Sequence, residues 1–197
     1  AMDGKGLWQA DLGSHAAWQK RLAEAEAKKS GIMFEREFCT GSPAYADGVV
    51  AVHNEAGKVL GFDAATGKQK WSAGEGIPAI AGTPIVWTSG GKRYFIAFDT
   101  CIDPTTGTVL WKAGAVPSKG ASAAASLNGD ILVADRTAFR ISPAKAEKIW
   151  TITPHPQCEK PETASLEAGT PGILGNRVLY RLHVKGTDAC WAACDLA

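Results

Sequence analysis

The sequence predicts an all-β protein built from repeated four-stranded sheets, and two observations support this prediction. The first is a motif, Asp-x-x-Thr-Gly-x-x-x-Trp, which occurs without departures at residues 63–71 and 103–111, with its tryptophans 40 residues apart. The second is the pattern before each motif, where short apolar strands alternate with turn residues at about ten-residue intervals. Four strands in roughly 40 residues are typical of one blade of a β-propeller.

A third, degraded copy of the motif occupies residues 140–150 and ends at Trp150, which lies 39 residues beyond Trp111. Aligned without gaps, its departures are Ser142 for Asp, Lys145 for Thr and Ala146 for Gly. Three tryptophans at such even spacing, each behind a related turn, indicate a true internal repeat.

The repeats divide the chain into predicted blade units within a single propeller domain, or a fragment of one. These units are residues 39–71, 82–111, 122–150 and 165–197, with residues 1–12 completing another blade. Because the unpaired edges of terminal blades invite pairing, we expect either further chain or a second copy to complete the ring.

Several stretches of the repeat are shortened, and we expect that the sequence omits residues there. Residues 1–8 resemble the motif with positions missing between Asp and Gly, and residues 194–197 stop where a Thr-Gly turn is expected next. The joins at residues 97–103 and 134–139 leave little room for a hairpin turn.

One segment, residues 15–30, departs from the strand pattern because it is rich in strong helix formers. Ser14 is suited to begin a helix and Gly31 to end it. We predict a helix inserted between blade strands, and a solvated surface position is favoured over a role in binding a partner.

Composition and motifs exclude several classes of function. The net charge of +1 gives no electrostatic reason to expect nucleic acid or an anionic membrane as the partner. No apolar run reaches the roughly 18 to 20 residues of a transmembrane helix, and no signal-peptide pattern begins the sequence. There is no nucleophile elbow, phosphate loop, dinucleotide fingerprint or His-Glu-x-x-His, so the sequence predicts no catalytic residue and no metal site.

The cysteines do not form a metal-binding or haem-attachment pattern. They number five, so at least one cannot form a disulfide within the chain, and no two are adjacent. They are Cys39, Cys101, Cys158, Cys190 and Cys194.

The two intact motifs resemble the tryptophan-docking repeats of pyrroloquinoline-quinone-type propellers. That family includes quinoprotein alcohol dehydrogenases and the non-enzymatic outer-membrane assembly lipoprotein of the BamB type. The resemblance implies that the Trp packs against the neighbouring blade, while Asp and Thr hold the turn by hydrogen bonds. The residues to which it assigns this structural role are Asp63, Thr66, Gly67, Trp71, Asp103, Thr106, Gly107, Trp111 and Trp150.

The resemblance implies two alternative functions. The leading one is a non-catalytic, periplasmic or otherwise extracytoplasmic scaffold that binds other proteins of the cell envelope or a second copy of itself. The alternative is a quinone- and calcium-dependent alcohol or sugar dehydrogenase whose active-site residues lie outside this sequence. The adjacent cysteines expected near the quinone are absent, so no cofactor is evident, and pyrroloquinoline quinone and calcium belong to the alternative alone.

A third function, binding of a polysaccharide or peptide, would use tryptophans outside the motif. These are Trp18, Trp87 and Trp191. For each of them, packing is favoured over binding.

Overall fold

The computed structural model describes residues 6–12, 23, 41–54, 57–77, 82–115, 125–151, 164–166, 171–184 and 190–196. The strands among these residues form four antiparallel four-stranded sheets, which we call blades A to D. The predicted all-β propeller class with four-stranded antiparallel blades is confirmed. The predicted helix at residues 15–30 lies outside the described residues, apart from Ala23.

Blades A, B and C are simple meanders in which each strand pairs with the next along the chain. Blade A contains β1 (Ala44–Ala46), β2 (Val49–His53), β3 (Val59–Asp63) and β4 (Gln69–Ala73). Blade B contains β5 (Ile85–Ser89), β6 (Lys92–Ala97), β7 (Thr100–Ile102) and β8 (Val109–Lys112). Blade C contains β9 (Ala125–Asn128), β10 (Ile131–Ala134), β11 (Thr137–Ile141) and β12 (Ala146–Thr151).

Blade D has a different arrangement. It contains β13 (Ala164–Leu166), β14 (Gly172–Leu174), β15 (Arg177–Val184) and β16 (Cys190–Asp195). The long strand β15 pairs with β14 through its first half and with β13 through its last residues, while β16 pairs along much of its length. Since β13 and β14 share one edge of β15, blade D is only three strands wide at any height.

Short hairpin turns join the strands within each blade. Asp47-Gly48 and Gly90-Gly91 form two-residue loops in which all four residues have positive φ, as type I′ turns require. Two-residue loops also join β6 to β7 and β10 to β11, where Phe98 has φ 55° and Asp135 has φ 50°. The prediction that these two joins leave little room for a hairpin turn is therefore wrong, because a left-handed first residue reverses the chain within two residues.

The core lies between neighbouring blades, where the faces of the strands meet. One cluster of buried side chains runs through blades A, B and C, and a second joins Val133 and Ala138 of blade C to Val178 and Tyr180 of blade D. The inner strands contact each other in the order β1–β5, β5–β9 and β9–β14. The blades therefore follow one another around an axis in the order A, B, C, D.

Within the described residues, no helix combines the length and apolar character needed to cross a membrane.

Candidate functional site: the blade-docking interfaces

The turn after β3 is organised by the carboxylate of Asp63. Its Oδ1 accepts hydrogen bonds from the amide of Ala65 (3.2 Å), the amide of Thr66 (2.9 Å) and the hydroxyl of Thr66 (2.8 Å). The backbone closes the same turn, since Gly67 N donates to Asp63 O at 2.8 Å. One short side chain thus satisfies amides that would otherwise have no protein partner.

Blade B repeats this arrangement at Asp103. Its Oδ1 accepts from the amides of Thr105 and Thr106, both at 2.9 Å, and from their hydroxyls at 2.7 and 3.0 Å. Gly107 N donates to Asp103 O at 2.9 Å, so the backbone of the turn has the same form as in blade A.

Both carboxylates are stabilised in their ionised form. The hydroxyl of Thr66, followed by its amide, lowers the pKa of Asp63 below its usual value. Partial burial raises the pKa of Asp103, but the hydrogen bonds from Thr105 and Thr106 outweigh burial and the net pKa is lowered. At neutral pH both groups are therefore acceptors and cannot supply a proton.

The glycine of the motif is required for two separate reasons. Gly67 and Gly107 have φ of 71° and 73°, a conformation that L-residues with a side chain rarely adopt. A Cβ added to Gly67 would lie 2.6 Å from the ring of Trp8, and one added to Gly107 would lie 2.6 Å from the ring of Trp71. The bare backbone of each turn is the surface on which an indole rests.

Each of these indoles also donates a hydrogen bond to the turn beneath it. Trp71 Nε1 donates to Pro104 O in blade B at 2.9 Å, and Trp111 Nε1 donates to Ser142 O in blade C at 2.8 Å. Trp8 Nε1 donates to Ala64 O in blade A at 3.0 Å. Trp8 was not among the predicted docking residues because residues 1–8 carry the motif only in shortened form.

In blades A, B and C the outer strand places its Trp opposite a small residue of the third strand. The opposing pairs are Gly61 with Trp71, Cys101 with Trp111, and Ala138 with Trp150. The reason is clearest in blade A, where a Cβ added to Gly61 would lie 2.1 Å from the Trp71 ring. The small residue leaves space for the indole, which then spans its own blade and the next.

The degraded copy in blade C differs from the gapless alignment. Ser142 N donates to Lys145 O at 2.9 Å, which is the bond that Asp63 N makes with Lys68 O in blade A. Lys145 therefore corresponds to Lys68, and the assignment of Lys145 and Ala146 to the Thr and Gly positions is wrong. The turn in blade C is two residues shorter than the turn in blade A, and the pairing of β11 with β12 continues closer to the turn.

Trp150 faces blade D without the hydrogen bond that the other indoles make. It is partly buried against the cluster that joins blades C and D. Its Nε1 is buried and has no hydrogen-bond partner among the described residues.

Of the three tryptophans outside the motif, the structure describes the side chain of Trp87. It is only 1% exposed, its Nε1 donates to Asp130 Oδ1 at 3.2 Å, and its ring centroid lies 5.1 Å from that of Tyr94. Trp87 therefore packs between blades B and C and is not free to bind a ligand. Trp18 and the side chain of Trp191 lie outside the described residues.

The sequence prediction missed a buried anchor at the opposite end of blade B from the motif. Asp99 is fully buried, and its Oδ2 accepts from the amides of Gly114 (2.9 Å) and Ala115 (3.0 Å). Its Oδ1 accepts from the hydroxyl of Thr100 at 3.0 Å. This carboxylate ties the β6–β7 turn to the chain that leaves β8, and no repeated motif marks it.

His53 lies at the corresponding end of blade A. Its side chain is 2% exposed, and Nε2 has no hydrogen-bond partner among the described residues. Burial lowers the pKa of His53, and a hydrogen bond with the backbone of Ile77 partly opposes this effect. The imidazole is therefore held in its neutral form.

No cluster of three or more His, Cys, Asp or Glu residues suited to a metal ion occurs in the part of the chain that the structure describes. Cys101 and Cys194 are free thiols. Burial, with a smaller effect of Asp103, raises the pKa of Cys101 to about 12, so this thiol stays protonated at neutral pH.

The turns, indoles and four-stranded sheets together define a repeat protein of the β-propeller class. The family model described as "Outer membrane protein assembly factor BamB" matches residues 1–100, which is more than half of the 197 residues. The chain belongs to this family, and the resemblance inferred from the motif is confirmed.

Solved structures to which this chain is similar include one natural and two designed proteins. BamB from Moraxella catarrhalis has a TM-score of 0.49 and 18% identity, with 80% of this chain and 50% of that chain covered. The computationally designed Ika4 protein has a TM-score of 0.49 and 13% identity, with 79% and 91% covered. The designed Ika8 protein has a TM-score of 0.45 and 14% identity, with 77% and 47% covered.

The aligned part of this chain thus spans about half the length of the Moraxella protein. No curated protein matches the chain.

Proposed function

We propose that this chain is part of a non-catalytic, extracytoplasmic β-propeller that acts as a scaffold for other proteins of the cell envelope. The observation that carries the proposal is membership of a family described as an outer-membrane protein assembly factor. The same description names the outer membrane and its proteins, so the proposal includes a periplasmic location and protein partners.

The chemistry of the repeat supports a structural role for its most distinctive residues. Asp63 and Asp103 each accept several hydrogen bonds within their own turns and have lowered pKa values. A general acid needs a pKa near the working pH, which is the opposite of what these turns produce. The motif therefore serves to join blades, and partner binding is left to other parts of the surface.

The outer strands of blades B and C are suited to bind a protein. Val109, Leu110 and Ile149 are exposed by 41%, 38% and 36% although they are large and apolar. In the described part of the chain, β8 pairs only with β7 and β12 only with β11, so each has an edge of unpaired backbone groups. Exposed lysines beside these residues, Lys112 and Lys148, favour a partner segment that is extended and acidic.

A pull-down from envelope extract tests the proposal. The unaltered chain is expected to retain envelope proteins, and Leu110→Asp combined with Ile149→Asp should reduce recovery by about tenfold or more, because apolar contacts are lost and charge is introduced. The matched control is Leu174→Asp on the inner strand of blade D, where Leu174 is 71% exposed, and it should leave recovery unchanged. Recovery by the unaltered chain no greater than by bare resin would overturn the scaffold.

The dehydrogenase alternative is tested with the same preparation. Addition of pyrroloquinoline quinone and calcium should give neither a bound chromophore nor dye-linked alcohol oxidation. A bound chromophore together with dye-linked alcohol oxidation would show that the protein is a dehydrogenase and would overturn the scaffold proposal.

A further inference from the structure

Blade C carries a cavity at the end where its turn departs from the motif. The cavity has a volume of about 410 Å³ and lies between the β9–β10 turn and the β11–β12 turn. Every residue that lines it belongs to blade C, and its polar lining consists of Asp130, Arg140, Ser142, Lys145 and Glu147. The volume is within the range of sites that bind small molecules.

Arg140 takes the place in the sheet of blade C that Asp63 holds in blade A. Arg140 lies opposite Ile131, and Asp63 lies opposite Val49, each of which is the first residue of its strand. A guanidinium has donors only, so it cannot accept hydrogen bonds from turn amides as Asp63 does. The turn in blade C begins two residues later, at Ser142, and Arg140 has no part in closing it.

The guanidinium of Arg140 is available to a ligand. Its side chain is exposed, and in the described part of the chain it donates no hydrogen bond and forms no ion pair within 4.0 Å. Glu147 lies opposite Arg140 in the sheet, but its Oε1 accepts from Lys145 Nζ at 2.5 Å. The planar fork of Arg140 therefore remains for a carboxylate from outside the chain.

The two carboxylates of the cavity each have one oxygen occupied. Asp130 Oδ1 accepts from Trp87 Nε1 at 3.2 Å, and Glu147 Oε1 accepts from Lys145. Among the described residues, Asp130 Oδ2 and Glu147 Oε2 accept no hydrogen bond. These two oxygens remain as acceptors for a ligand that carries N–H donors.

The balance of charge decides which ligand suits the cavity. Two cations, Arg140 and Lys145, face two carboxylates, Asp130 and Glu147, so the formal charge of the lining is zero. A simple anion would be repelled by both carboxylates, and a simple cation by Arg140 and Lys145. A molecule with one charge of each sign is attracted at both ends.

We propose that this cavity binds a small zwitterion of the amino-acid type. Its carboxylate binds the guanidinium of Arg140, and its ammonium group binds the free oxygens of Glu147 and Asp130. An apolar side chain of the ligand packs on Ile131, which is partly buried and lines the same cavity. The inference does not rest on the proposed scaffold function.

Calorimetric titration with L-leucine tests the ligand class. The expected dissociation constant is about 1 mM, as befits a few charged contacts at an exposed site. N-acetyl-L-leucine lacks the ammonium group and L-leucine amide lacks the carboxylate, and each should bind at least about tenfold more weakly. Equal binding of either analogue would overturn the proposal, as would the absence of L-leucine binding up to about 20 mM, well above the expected constant.

Arg140→Gln tests the position of the site. It should weaken L-leucine binding by about tenfold or more and leave the circular dichroism spectrum unchanged, because Arg140 is exposed and makes no hydrogen bond within the described chain. The control is Arg136→Gln, in the β10–β11 turn at the opposite end of the same blade, and it should bind L-leucine as the unaltered chain does.

Nuclear magnetic resonance locates the ligand independently of any variant. The largest amide shift changes on addition of L-leucine are expected at Ile131, Ile141 and Lys145, which surround the cavity. Changes confined to other blades would overturn the proposal. So would an Arg140→Gln variant that binds L-leucine as tightly as the unaltered chain, or a loss of binding by Arg136→Gln equal to that of Arg140→Gln.

Discussion

Replacing Gly107 with alanine measures directly how strongly blade A is docked on blade B. The glycine has φ 73°, and an added Cβ would lie 2.6 Å from the ring of Trp71. Trp71 is buried and donates to the neighbouring Pro104 carbonyl at 2.9 Å. The substitution therefore strains the backbone and displaces the indole from its acceptor at the same time.

The expected loss of stability can be divided into three parts. The left-handed conformation costs a residue with a side chain about 1–2 kcal/mol. Overpacking of the Trp71 ring costs about 1–3 kcal/mol, and the lost indole hydrogen bond costs about 1 kcal/mol. Gly107→Ala should therefore lower the free energy of unfolding by about 3–6 kcal/mol.

Gly90→Ala is the matched control. Gly90 also has a positive φ, 57°, but nothing lies within 4 Å of an added Cβ. Gly90→Ala should lower the free energy of unfolding only by the cost of the left-handed backbone, about 1–2 kcal/mol. The measurement is urea unfolding followed by tryptophan fluorescence, and equal losses for the two variants would show that the indole contact adds nothing to blade docking.

Three further predictions concern polar groups of blades A and B. Asp99→Ala leaves the amides of Gly114 and Ala115 without an acceptor and should lower the free energy of unfolding, measured in urea, by about 2–4 kcal/mol. A loss below about 0.5 kcal/mol would contradict the anchoring role. The folded pKa of His53 is lowered, so the unfolded chain binds the proton more readily and the free energy of unfolding should decline as pH falls below about 6.5. His53→Gln should remove this part of the pH profile of stability, and an unchanged profile would exclude His53 as its source. The folded pKa of Asp63 is also lowered, so its contribution to the free energy of unfolding is complete above about pH 4 and is lost as pH falls through the folded pKa. Acid unfolding of Asp63→Asn should lack this contribution, and an acid-unfolding profile identical to that of the unaltered chain would contradict the prediction.

Much of the fold could be predicted from the sequence because a repeat marks blades A, B and C at an equivalent place. The Trp at the end of each unit and the turn before it are local patterns, and their period alone indicates four-stranded blades. Asp63 and Asp103 accept hydrogen bonds within their own turns, from groups two or three residues away, so these bonds could also be predicted from the local sequence.

Other features depend on which segments meet in space. The β6–β7 and β10–β11 joins were predicted to be too short, since only the backbone angles of Phe98 and Asp135 show that two residues suffice. Asp99 binds amides 15 and 16 residues away, a pairing that no motif records. In blade C the length of the turn is decided by how far β11 and β12 pair, so a gapless alignment misplaced Lys145.

The sequence by itself determined the class of fold, its repeat length and the residues that form each intact turn, because these rest on contacts between near neighbours in the chain. Only the tertiary structure decided that Trp87 is buried against Asp130 and that Trp8 rests on Gly67. Each of these depends on the packing of one blade on the next. Such packing brings together residues that are far apart in the chain, and no local sequence pattern marks them as partners.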